Sequence, residues 1–388
     1  MRYRAACRAA TAQEGSQGPA DMQTRQLSPE QCEAFWEDLA RHFPRRPPKW
    51  RIRPGGADEA AATGERHPRG GKHGTPILSC AFSPDDSLIA TAGGGRLPGA
   101  DTAIRCWDAQ SRREVLVCEG HDGGIFCIDF DPRTGLLASA SRDCSVILWN
   151  LARRDAVVPC AADGIVKGHV AFAAAAPLLA IGETEATRGR HSSAYVLDLG
   201  TGREALRHRL PQRDAVNALA ISPEGRLLAL ASQDLHYGGN SMLRVCNLAG
   251  GQEVFARKFE AGRVETTFTQ MRFFAGGTRL AATAMELGEA CEAAAFVLDA
   301  ATGAVLARRP LGGIGGTLAT SPDEAILACA GGKAQVELLR LPGLRAIETF
   351  QLKRMPRGAR VSSVAFSFAG KLLAAGTSTG ELAIFELG

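Results

Sequence analysis

The sequence predicts an all-β protein: a seven-bladed β-propeller of four-stranded antiparallel blades, with a short α-helical N-terminal extension. Three observations carry this prediction. A turn signal recurs at Ser83-Pro84, Asp131-Pro132, Ala176-Pro177, Ser222-Pro223 and Ser321-Pro322, and keeps its place without Pro near Ala275 and Phe368. A second ladder stays in step with it: Trp107-Asp108, Trp149-Asn150, Leu197-Asp198, Cys246-Asn247, Leu298-Asp299, Leu339-Arg340 and Phe385-Glu386. Between these marks lie short aliphatic and β-branched runs bounded by Gly, Pro, Asp and Ser, four to a unit of about 45 residues, the size of a propeller blade.

The N-terminal part reads differently. Residues 1–27 are expected to be a disordered tail. Their Arg- and Ala-rich start, with no acid before Glu14, fits a transit-like peptide or an upstream start before Met22. Residues 28–74 read as an amphipathic helix plus a basic linker. Ser28 is the N-cap, Pro29 takes the first helical position and Gln31 completes a capping box. The helix is expected over 28–43, with Cys32, Phe35, Trp36, Leu39 and Phe43 on one face. Two readings of that face stay open: a docking helix for a partner, or packing on the propeller's own edge. The following stretch holds six cations between Arg41 and Arg53 and no acid.

Residues 75–388 form the propeller. Second strands such as LLASAS, LLALAS and LLAAGT follow each turn, and SVILWN, LRVCNL and AFVLDA close the units. The chain ends just after Leu382–Leu387, so a seventh blade needs an outer strand from the N-terminal side. GERHPRGG, before His73, is poor strand material; KWRIR, 49–53, is better but more distant.

Within 120–150 a Gly-His pair, a strand, an Asp-Pro turn, a Ser-x-Ser-x-Asp stretch and a strand ending in Trp-Asn follow one another. This stretch resembles a WD40 repeat. Aligning Ile125 with Ile77 sets His121 on His73, Ser139 on Thr91, Asp143 on Asp101 and Trp149 on Trp107. Both Asp-to-Trp gaps are the same. The resemblance implies two structural tetrads, His73, Thr91, Asp101, Trp107 and His121, Ser139, Asp143, Trp149, whose polar tips are tied across a blade. It is sharp in the first two repeats and loose in the third, fifth and sixth. Later units put apolar residues at these places, such as Leu230, Cys246, Ala375 and Phe385.

Four turns are lengthened, at 93–101, 182–193, 232–242 and 285–293. Insertions gathered on one face often mark a binding face. They make Arg96, Arg188, Arg190, His236 and Tyr237 the candidate partner contacts, with Glu286 and Glu289 of opposite sign.

Composition narrows the function. Residues 1–74 carry 13 Lys/Arg against 9 Asp/Glu, whereas 75–388 carry 32 of each. A neutral body argues against nucleic acid as the main partner. The longest apolar run, 13 residues from Val170, contains Pro and is short of the roughly 20 a membrane helix needs. Eleven Cys with no Cys-x-x-Cys pair and no secretory signal point to free thiols in the cytoplasm. No metal site, cofactor motif, P-loop or Gly-x-Ser-x-Gly is present. The expectation is a non-catalytic scaffold presenting a propeller face to protein partners. The alternatives are a propeller enzyme, or a binder of nucleic acid or lipid headgroups acting through 41–53.

Overall fold

Seven antiparallel sheets follow one another around a ring. The computed structural model describes residues 26–52, 73–94, 101–160, 163–186, 191–234, 238–261, 264–287, 291–313, 316–332, 334–353 and 355–387. Blade one comprises Ile77–Phe82, Leu88–Gly93, Ile104–Asp108 and Glu114–Glu119, paired in sequence order from the centre outwards. Blades two to six repeat the pattern over 125–160, 165–209, 214–258, 264–310 and 317–351. Blade seven has three strands among the described residues: Val361–Phe366, Leu372–Thr377 and Leu382–Glu386.

Position in the blade explains composition. A second strand is pressed on both faces by neighbouring blades, so LASAS and ILACA are buried throughout and are built from small residues. The outermost strands of blades three to five, REALRHR, EVFARK and VLARRP, are largely exposed and rich in cations, which discourages edge-to-edge pairing.

Polar side chains stitch most seams. Ile128 N–H donates to the Ser79 hydroxyl (3.1 Å), Phe172 N–H to Asp129 (2.8 Å) and Leu318 N–H to Gln270 (2.7 Å). The His169 ring bonds Val216 O at 3.1 Å and the Ser362 hydroxyl donates to Ile77 O at 2.5 Å. The ring closes directly between blades seven and one: His73 N–H donates to Gly380 O (2.7 Å), and Phe368 and Ala369 N–H to Asp86 (2.6 and 2.7 Å). Gly380, at φ 84°, is required at this seam, since a Cβ there would lie 2.4 Å from His73 O.

The N-terminal helix, α1 (Pro29–His42), carries the expected Ser28–Gln31 capping box and is two residues shorter than the 28–43 reading. Its apolar face is used within the chain, as the reading of packing on the propeller's own edge expected, and not as the alternative of a docking helix for a partner required. Trp36 and Leu39 are fully buried in one cluster with Leu148, Val157, Leu179 and Leu197 of blades two and three. The chain then bridges Arg45 to Val157, and Lys49–Ile52 pairs antiparallel with Glu114–Glu119. The strand Lys49–Ile52 thus lengthens blade one to five strands and does not complete blade seven. Glu114–Glu119 reads EVLVCE, an apolar edge that gains more from cover than any charged edge does.

The basic linker is equally engaged. Arg41 pairs with Asp38, Arg45 with Glu37 and Asp155, Arg46 with Asp122, and Arg51 with Glu119. Four of the six cations between Arg41 and Arg53 therefore already face an acid of this chain, which weakens the alternative of an acidic-ligand arm.

Candidate functional site

The His, Ser and Asp side chains singled out in the sequence meet inside the blades. In blade two, His121 comes from the segment entering the first strand, Ser139 from the second, Asp143 from the following turn and Trp149 from the third. His121 Nδ1 lies 2.8 Å from Asp143 and its Nε2 2.7 Å from Ser139 Oγ, while Trp149 Nε1–H donates to the same oxygen at 2.8 Å. Blade one repeats this: His73 to Asp101 at 3.1 Å, His73 to Thr91 at 2.7 Å and Trp107 to Thr91 at 2.7 Å.

A neutral ring with its proton on Nδ1 satisfies every atom. Nδ1–H donates to the carboxylate, the hydroxyl donates to Nε2, and the indole donates to the hydroxyl. Burial opposes ionisation of Asp143, yet the bonds from His121, Ser145 and the Asp122 amide outweigh it and hold the carboxyl well below its ordinary range. Asp101 is held low in the same way, with Arg105 adding its charge. Ser139 and Thr91 are fully buried. A hydrolytic nucleophile is exposed to its substrate with an oxyanion site beside it; these hydroxyls are enclosed, and the set occurs twice.

Residues 69–108 and 112–150 match the family described as WD domain, G-beta repeat, and 318–388 match the Anaphase-promoting complex subunit 4 WD40 domain. The chain is a seven-bladed β-propeller whose first two blades match WD40 repeats. Among curated relatives, Transducin beta-like protein 3 of Rattus norvegicus is 29% identical over 212 residues, 53% of this chain and 25% of that protein. The Bos taurus protein of that name is 29% identical over 193 residues, 48% of this chain and 22% of the relative. Mitochondrial division protein 1 of Candida glabrata is 32% identical over 78 residues, 20% of this chain and 10% of its own length. The chain spans about a quarter or less of these relatives.

The WD40 network stops after blade two, and the later blades are not simply apolar at its place. In blade three, Lys167 Nζ donates to Asp163 (2.9 Å) and Glu183 (2.8 Å), and Ser193 N–H donates to the other Glu183 oxygen (2.7 Å). Lys167 and Glu183 are at most 1% exposed. In blade four, Ser232 bonds Asp214 and Arg244; in blade five, Glu286 makes a two-point pair with Arg308. Arg309 reaches from blade five to Glu337 of blade six at 3.0 Å. The sequence did carry a signal in blade three: a Lys inside the apolar run IVKGHVAF requires a buried partner.

Among the expected rim contacts, Arg96, Arg188, Arg190, His236, Tyr237 and Glu289 lie outside the described residues. Glu286, expected to face a partner, is instead mostly buried against Arg308. The lengthened turns of blades four and five are continued hairpins, with Asp234 paired to Gly238 and Leu287 to Cys291. In blade three the second strand runs on to Ala186 by pairing back to Ile165 of the first strand, while pairing across the turn ends at Gly182 and Ala194. Among the described residues no group of three or more His, Cys, Asp or Glu is placed to hold a metal, and no helix is long and apolar enough to cross a membrane.

Proposed function

We propose that this propeller is a non-catalytic interaction scaffold whose partner meets the face carrying the long hairpins. The observation that carries this reading is the continued hairpin pairing in blades four and five, beside a blade-three second strand prolonged to Ala186, which together raise one sector of an otherwise regular ring. Extended, paired backbone presents side chains with less freedom to lose on binding than a loose loop does. The enclosed tetrads leave the repeated His and Ser groups structural. Ten described cysteines are free thiols, which supports a cytoplasmic setting.

Arg190 and Tyr237 belong to adjoining blades, and Arg and Tyr are frequent interface anchors. Affinity capture from a cell extract, compared between the wild type and the Arg190→Ala/Tyr237→Ala double variant, tests the face. Loss of the principal captured protein is expected, with stability within about 0.5 kcal/mol of wild type. Arg226→Ala, exposed beside the turns of the opposite face, is expected to capture normally. The reverse pattern assigns binding to the other face.

A further inference from the structure

The innermost strands align by register at the centre of the ring. Ala81, Asp129, Ala171, Ala220, Arg272, Ala319 and Ala365 occupy one level, and each pairs with an alanine of its blade's second strand: Ala90, Ala138, Ala180, Ala229, Ala281, Ala328 and Ala374. Five of the seven central positions are alanine. The other two bear opposite charges and reach toward one another from non-adjacent blades, two and five.

Small side chains at this level leave a cavity of about 170 Å³ among the inner strands of blades one, two, five, six and seven. Arg272 forms part of its wall, and its side chain is 43% exposed. Its nearest acidic contact is Asp129, at 3.9 Å, beyond hydrogen-bond reach. Among the described residues no hydrogen bond engages the guanidinium. Asp129, in contrast, already accepts the Phe172 N–H at 2.8 Å. Phe368 lies at the cavity edge in the turn between the first two strands of blade seven, and is one of five large apolar side chains exposed among the described residues.

We propose that this channel binds a carboxylate through Arg272, with Phe368 and the alanine level packing the ligand's apolar body. The planar fork of a guanidinium matches a carboxylate by two parallel hydrogen bonds. A doubly charged phosphate fits less well, because Asp129 stands beside the single cation and would repel it. Volume agrees with a small acid, since an apolar cavity of roughly 150 Å³ admits benzene. The carboxylate belongs either to a free organic acid or to an acidic residue of an entering peptide. This site lies away from the long hairpins and goes beyond the scaffold reading.

Calorimetric titration of the full chain uses benzoate, its neutral counterpart benzamide, inorganic phosphate, and a capped alanine peptide with one central Glu. Benzoate or the peptide is expected to bind at least about tenfold more tightly than benzamide or phosphate, the factor that a charge-assisted bond supplies. The tighter of the two identifies the source. Arg272→Gln should remove that preference. Ala319→Leu retains Arg272 but fills the cavity wall, and should abolish binding while the thermal transition remains cooperative. Absence of binding by both carboxylates at millimolar concentration overturns the site, as does equal binding of benzamide or phosphate, or unchanged binding by either variant. Failure here would leave capture through the hairpin face intact, so the two proposals fall separately.

Discussion

Blades one and two and blades three to six solve the same problem with different chemistry. The first pair ties each sheet with a His–hydroxyl–indole chain ending on a carboxylate, and its outer edges lie under the N-terminal belt of α1, the Arg45 bridge and Lys49–Ile52. The others use ion pairs, and the outer strands of blades three to five are exposed and cationic. The difference teaches that the blade shape does not depend on one tetrad. It needs any polar set that pairs completely, because a buried polar group is costly only when its partner is missing.

Edge cover follows the same division. Trp50 of the added strand packs edge-on against Trp149 at 5.9 Å, joining the belt to the tetrad of blade two. Blade five lacks a tryptophan and fills its wedge with Phe259, Phe268 and Phe296, all fully buried at ring separations of 4.6 to 6.3 Å. Aromatic mass is therefore retained where the polar tie is lost.

The largest expected effect lies in blade three. Lys167→Met would leave Glu183 as a buried carboxylate without its cation, at a cost of about 3–5 kcal/mol in urea unfolding. Adding Glu183→Leu should recover most of that loss, since a matched apolar pair leaves no orphaned charge. If the single change is harmless, the ion pair does not replace the tetrad, and the comparison between the two regions fails.

The smallest effect is expected at the belt's surface. Arg51 is 68% exposed and its partner Glu119 28%. Arg51→Ala should shift stability by no more than about 1 kcal/mol, read from the urea midpoint, because exposed pairs are screened by water and salt. A larger loss would mean that the added strand is held by charge and not by its backbone pairing and Trp50.

Much of this division was legible in the sequence. The seven units and the helix cap follow from turn residues and strand-length runs, which are local signals. The His73 and His121 sets stood out because four polar or aromatic residues kept the same order twice. The blade-three network was harder to see, since Lys167, Asp163 and Glu183 come together only through strand register. The pairing of Lys49–Ile52 with blade one was also hidden: four residues carry no address, and the apolar edge that attracts them lies more than sixty residues downstream. The Asp129–Arg272 level depends on equivalence between inner strands, which a bulge in most first-to-second strand pairings obscures.

The central claim is that the tetrads are structural ties, and Asp143 tests it through pH. Its folded-state carboxyl is held below the ordinary value, so its stabilisation is fully present above an unfolded pKa of about 3.9 and is lost as pH falls toward the depressed folded value. The measurement is the unfolding free energy of wild type and Asp143→Asn from pH 7 down to pH 2. The account predicts that wild type is more stable by about 1–3 kcal/mol at neutral pH, with the gap narrowing progressively below about pH 4. Equal stability at pH 7, or a gap that stays constant down to pH 2, would contradict it.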